Sequence, residues 1–206
     1  MVRTLSTMLP LGTLLPSFEL AVVQSNTWIE GAQARQLTRI SNKVLDEKPI
    51  LIMIICAHCP FVKHIEPELL KLDQDYRNQV QILAISSNSL ITHPQDAAEN
   101  LAFQADQRGW SFPYLLDTDQ SFAKALRAAC TPDFFLFSLN ENGNQQLRYR
   151  GQLDGSRPGN NIPLSGEDLR TALDAVLAGK EVSSAQKPSI GCNIKWHPGQ
   201  EPSWFG

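Results

Sequence analysis

Two cysteines separated by two residues, in the stretch Cys56-Ala57-His58-Cys59, have the residue types and spacing that most directly imply chemistry in this sequence. They follow the apolar run Pro49 to Ile55 and precede Pro60 and a segment of helical periodicity, so they fall where a strand ends and a helix begins. The first turn of a helix offers unpaired backbone N–H groups and the positive end of the macrodipole, and both favour a thiolate over a thiol. A C-x-x-C pair at that place is a redox motif. Cys56, nearer the strand end, is the expected nucleophile; Cys59, one turn along, is expected to displace the substrate from the mixed disulfide and close a Cys56–Cys59 bridge. His58 is the candidate cation that lowers the thiol pKa below its ordinary value of about 8.5. A zinc site is the alternative use of such a pair, with Cys56, Cys59, His64 and Cys130 as the conceivable set. A closed site needs four ligands, and Cys130 and Cys192 are single and distant, so no metal is expected.

The elements that must position this motif can be read around it. Phe18 to Val23 reads as a strand, and Trp28-Ile29 with Ala34 to Ile40 as a pair of short strands turned at Asn26 and Gly31, together an N-terminal hairpin. Pro49 to Ile55, uncharged and rich in branched side chains, predicts a central strand covered on both faces. Phe61, Ile65, Leu69, Leu72 and Tyr76 recur every three or four residues and predict an amphipathic helix over Pro60–Tyr76. Val80 to Ser86 is the next strand, parallel to the first. Pro94 to Arg108 predicts a helix ended by Gly109, Tyr114 to Leu116 a short strand, and Asp119 to Ala129 a further helix. Phe134 to Ser138 and Leu147 to Arg150, joined by an Asn and Gly turn, form an antiparallel hairpin. A last helix runs over Leu169 to Ala178, capped by Gly179. Lys180 to Gly206 lacks periodicity and reads as an irregular C-terminal tail anchored by aromatic residues. The expected class is α/β, one domain over residues 1–206, a three-layer sandwich with a central mixed β-sheet and helices on both faces.

This order, with Thr131-Pro132 opening the antiparallel hairpin, resembles the thioredoxin fold in its peroxiredoxin-like (redoxin, AhpC/TSA) form. The start Leu11-Gly-Thr-Leu-Leu-Pro-Ser-Phe-Glu-Leu20 and the segment Pro188-Ser-Ile-Gly-Cys-Asn-Ile-Lys-Trp196 are similar to the corresponding parts of that group. The resemblance implies an exposed Cys56, and a cis Pro132 that presents the backbone of Thr131 to an extended substrate. His58 between the cysteines is similar to the C-x-H-C of strongly oxidising members. Cys130 falls beside the site, and Cys192 either folds back to pair with it or stays unpaired; both are candidates for additional redox roles. There are departures. Ile55 replaces the tryptophan of thioredoxins, Ile50 stands where a buried acid is expected with Glu47 the nearest acid, and counting back from Cys59 gives Cys56 and Ile52 in place of the peroxiredoxin Thr and Pro. A thiol:disulfide oxidoreductase is therefore the leading expectation, a thiol peroxidase the second, and a non-catalytic metal- or partner-binding module the third.

Composition narrows the partners. A chain of 206 residues, 42% apolar, is long enough for one substantial core. A net charge of −3, with Lys and Arg scattered, gives no footprint for nucleic acid. Met1 to Leu15, broken by Pro10 and Gly12, has no compact apolar stretch of the signal-peptide kind, and no apolar run reaches the roughly 18 to 20 residues of a membrane span. The expected partners are a protein or low-molecular-weight disulfide or thiol and a thiol reductant, with no cofactor and no membrane. Four unevenly spaced cysteines fit a reducing compartment, and a cytoplasmic location is expected.

Overall fold

The computed structural model describes residues 3–24 and 39–205. In chain order the strands and helices are β1 (Arg3–Leu5), β2 (Glu19–Gln24), β3 (Arg39–Ser41), β4 (Ile50–Ile54), α1 (Pro60–Tyr76), β5 (Gln81–Ser86) and α2 (Ala98–Arg108). There follow β6 (Tyr114–Leu116), α3 (Ser121–Ala125), β7 (Cys130–Thr131), β8 (Asp133–Leu139), β9 (Gln145–Gly151), α4 (Glu167–Leu177) and β10 (Ile190–Asn193).

The uncharged run before the C-x-x-C motif becomes β4, buried along its whole length between β5 and β8 in a mixed sheet of order β3-β2-β6-β5-β4-β8-β9. β4, β5 and β6 are parallel; β2 and β3, and β8 and β9, add antiparallel pairs on either side. The period of two along β4 divides the core into two layers. Leu51 and Met53 face a cluster with Phe61, Val62, Ile65, Leu69 and Leu72 of α1 and Leu169 and Leu173 of α4. Ile50, Ile52 and Ile54 face the other side, against Phe122, Leu126, Leu9 and Trp196. Helices therefore cover both faces, as a thioredoxin-like sandwich requires. α1 has the bounds its periodicity predicts, because Pro60 starts it without losing a helical hydrogen bond and its apolar stripe has a single face to bury.

Several elements differ from the sequence reading. The predicted helix over Pro94–Arg108 is a 3-10 turn at Pro94–Asp96, an extended Ala97, and then α2; Gly109 does end it, in the left-handed conformation. α3 is much shorter than Asp119–Ala129, and Arg127 beyond it has a φ of 51°. Residues Trp28, Ile29 and 34–38 of the predicted hairpin, and its turn at Asn26 and Gly31, lie outside the described residues, while Glu19 to Ala21 do pair antiparallel with Arg39 to Ser41. Within the segment read as an irregular tail, Ile190–Asn193 forms a strand between β1 and β7, making a second, antiparallel sheet β1-β10-β7. Its partners are Arg3–Leu5 and Cys130–Thr131, so its hydrogen bonds come from distant parts of the chain and leave no local pattern.

Candidate active site

β4 ends at Ile54 and α1 begins at Pro60, so the intervening turn holds both cysteines of the motif. Cys59 is the N-cap residue of α1, and its carbonyl accepts the Lys63 amide at 3.0 Å. The turn is fixed by a residue from the other side of β5. Asp96 accepts the backbone amides of Ala57 (3.0 Å) and His58 (3.2 Å) on Oδ1, and it takes the His58 ring at Nδ1 (2.6 Å) and the side-chain amide of Asn88 (2.8 Å) on Oδ2. Burial opposes ionisation of Asp96, but the bonds from His58 and Asn88 outweigh it and hold the carboxyl below the usual carboxylate range.

The sulfur atoms sit inside this frame. Cys56 Sγ lies 3.8 Å from His58 Nδ1 and 3.7 Å from Thr131 Oγ1, and Cys56 and Cys59 share one buried cluster. Cys59 Sγ lies 3.3 Å from the Thr131 carbonyl oxygen and shares its buried cluster with Cys192. Burial, the bond with Cys59 and the charge of Asp96 push the Cys56 thiol well above its ordinary value. Cys59 moves the opposite way: the neighbouring Cys192 and Cys56 favour its thiolate against the effect of burial, with Thr131 and the Val62 amide adding to the shift. The two protonation states of Cys59 have different partners. The thiol donates to the Thr131 carbonyl; the thiolate accepts from the neighbouring thiols and the helix start. The bond with Cys59, and burial after it, raise Cys192.

The Thr131–Pro132 peptide bond is cis. Cys56, expected to be exposed, is fully buried with His58 and Thr131 packed within 4 Å of its sulfur. His58 lies beside Cys56, but its Nδ1 faces the Asp96 carboxylate, which offsets the cationic effect expected of it. The backbone of Thr131 is paired with Cys192 of β10, so the chain's own strand occupies the antiparallel position expected for an extended substrate. Cys192 is thereby brought to Cys59 rather than to Cys130. Cys130, buried, points to the Pro132 carbonyl oxygen at 3.7 Å, and burial drives its thiol well above the ordinary value. His64 bonds Ser156 instead of joining the cysteines. Among the described residues, the group with ligand atoms close enough to hold a metal is Cys56, His58 and Asp96.

Sequence reading missed Asp96 and Asn88. Both lie in polar stretches that read as a helix start and a strand end, and the only local signal was a short acid after His93-Pro94. It also missed Asp133, a fully buried carboxyl on β8 in register with Ile54, two residues before Cys56. An open cavity of about 440 Å³ lies against the motif, lined by Ala57, His58, Lys63, Phe103 and Arg108. A larger one, about 690 Å³, lies at the other end of the sheet by Glu47, Ser138 and Arg148.

The full length of this architecture recurs in two solved structures. A conserved uncharacterized protein from Geobacillus kaustophilus is 44% identical, with a TM-score of 0.84 over 96% of this chain and 98% of that one. A hypothetical protein from Sinorhizobium meliloti 1021 is 39% identical, also at 0.84, over 95% and 100%. Mycobacterium bovis AhpC shares the fold at 17% identity and a TM-score of 0.54 over 86% of this chain and 97% of that one. No curated protein matches the sequence. The sequence match that spans the motif turn, the cis proline and the β8–β9 hairpin, residues 11–150, is to the AhpC/TSA family, and the chain belongs to that family.

Proposed function

We propose that the protein is a thiol:disulfide oxidoreductase that cycles Cys56 and Cys59 between dithiol and disulfide through a mixed disulfide with its substrate. The observation that carries this reading is the placement of both cysteines in one strand-to-helix turn, Cys59 at the N-cap of α1 and both sulfurs against Thr131 beside the cis proline. Family membership supports thiol redox chemistry. In the first step the Cys56 proton passes to the Cys59 thiolate as Cys56 attacks the substrate disulfide, and one half of the substrate leaves as a thiolate. That thiolate takes the proton from Cys59, and Cys59 then attacks the Cys56 sulfur, releasing the second half and closing the Cys56–Cys59 bond. His58 and Asp96 hold the turn in place. The cavity beside Ala57 and His58 is the place for a protein or low-molecular-weight disulfide, and a separate thiol reductant resets the pair.

Reduction of insulin with added dithiothreitol tests the cycle. Cys56→Ser loses the turnover, and Cys59→Ser accumulates a mixed disulfide on Cys56; normal turnover in Cys56→Ser sinks the proposal. A thiol peroxidase is the second reading, favoured by the depressed pKa of Cys59 at the helix start, the position that corresponds to the peroxidatic cysteine of peroxiredoxins. It requires sulfenic acid at Cys59 to form with hydrogen peroxide much faster than on a simple thiol, and a rate equal to that of a simple thiol removes it.

A further inference from the structure

The redox pair does not end at the motif. β10 crosses the open side of the Thr131–Pro132 peptide with Cys192 in register with Thr131, and paired residues in an antiparallel ladder project to the same face. Thr131 points its hydroxyl at Cys56 and its carbonyl oxygen lies 3.3 Å from Cys59, so Cys192 enters the same cluster of sulfurs. Cys130, one residue away, pairs with Asn193 and projects to the opposite face. The approach of β10 is built into the chain. Gly191 lies so close to Thr131 that a Cβ on it would overlap the Thr131 carbonyl oxygen. Beyond the strand, Asn88 accepts the Lys195 amide at 2.8 Å while donating to Asp96, so the bracket that fixes the motif turn also fixes β10. Residues 188–196 lie outside the segment that matches the family.

We propose that Cys192 is a third redox thiol, which exchanges with the Cys56–Cys59 disulfide to form a Cys59–Cys192 disulfide. This rests on the Cys56–Cys59 cycle proposed above. The Cys192 sulfur attacks Cys59 Sγ; the Cys59–Cys192 bond forms, the Cys56–Cys59 bond breaks, and Cys56 departs with the electron pair and takes up the proton released by Cys192. Exchange conserves electrons, so no further oxidant enters. Its product keeps the oxidising equivalent inside the core and returns Cys56 as a thiol, giving the oxidised protein two states that share Cys59.

Disulfide mapping tests this in the full-length chain. Cys56→Ser, with Cys56→Ala as a second variant, is equilibrated with oxidised glutathione, quenched in acid, alkylated and mapped by mass spectrometry. Cys59 takes one glutathione in mixed disulfide, Cys192 attacks the Cys59 sulfur, and the second glutathione leaves, so Cys59 and Cys192 become protected together and appear as one linked pair of peptides. Cys59 found as a glutathione adduct with Cys192 fully alkylated in both variants overturns the proposal. Cys192→Ser, treated in the same way, judges the underlying cycle separately. A Cys56–Cys59 link there shows the cycle standing whatever the first result, and its absence removes the cycle on which the exchange depends.

Discussion

Burial comes first in raising the Cys56 thiol, and Asp96 is the charged group that adds most to it. A histidine between two cysteines invites the expectation of a cation that lowers the nucleophile's pKa, but the ring faces a buried carboxylate, and Asp96 itself raises the thiol. Asp96→Asn is therefore expected to move the pH profile of Cys56 alkylation by iodoacetamide downwards. The same change weakens charged hydrogen bonds to two amides and an imidazole, with an expected loss of about 1–3 kcal/mol in urea unfolding. A Cys56 profile identical to the wild type would show that the carboxylate does not act on that sulfur. Cys56, His58 and Cys59 were legible because their chemistry is local to one turn. Asp96 was not, since its partners Ala57 and His58 are brought to it only by the crossover from β4 through α1 to β5 and on into the segment before α2.

Among the elements, α1 and β10 mark the two limits of what a sequence discloses. α1 carries its own evidence, in an apolar stripe that has to be buried and a proline at its start, and its observed bounds coincide with those predicted. β10 is Ile-Gly-Cys-Asn, without alternation or β-branched enrichment, and it exists because β1 and β7 present free edges on both sides of it. Gly191, with no Cβ to meet the Thr131 carbonyl oxygen, is what lets the strand approach Thr131. Gly191→Ala is expected to displace β10, cost about 1–3 kcal/mol as overpacking does, and abolish the Cys59–Cys192 link under glutathione oxidation while a Cys56–Cys59 link still forms. Unchanged stability, read from the urea midpoint, would mean that the strand can shift without cost.

For the molecule as a whole, the two-layered core sets a pH dependence. Asp133 has both carboxylate oxygens sealed from solvent, and burial outweighs the help of Ser189 and the Phe134 amide, so its carboxyl titrates well above the usual range. In the unfolded chain an aspartate titrates near about 3.9. The native state then holds a proton that the unfolded state loses, and stability falls as pH rises through the window that opens there and closes at the raised native value. Asp117 shifts in the same direction, and Asp96, held low, contributes stability that is lost as pH falls through its depressed value. Asp133→Asn is expected to flatten the decline of the urea midpoint as pH rises above the usual carboxylate range, and an unaltered slope would exclude Asp133 as its source. The mixed sheet with its covering helices could be read from periodicity, whereas the buried acid could not, because Asp133 follows Pro132 in a stretch that looked like the entry to a hairpin.

The sheet β1-β10-β7 joins residues near one end of the sequence to residues near the other, with the Thr131–Pro132 peptide at its edge. α1 and every strand of the seven-stranded sheet precede β10 in the chain, so the dithiol turn can assemble while β10 is still unsynthesised. Cys59 gains its Cys192 neighbour only after the chain has closed on itself, which gives the nascent protein a two-thiol chemistry and the finished protein a three-thiol one. Oxidation met early in synthesis and oxidation met after release therefore act on different sets of sulfurs.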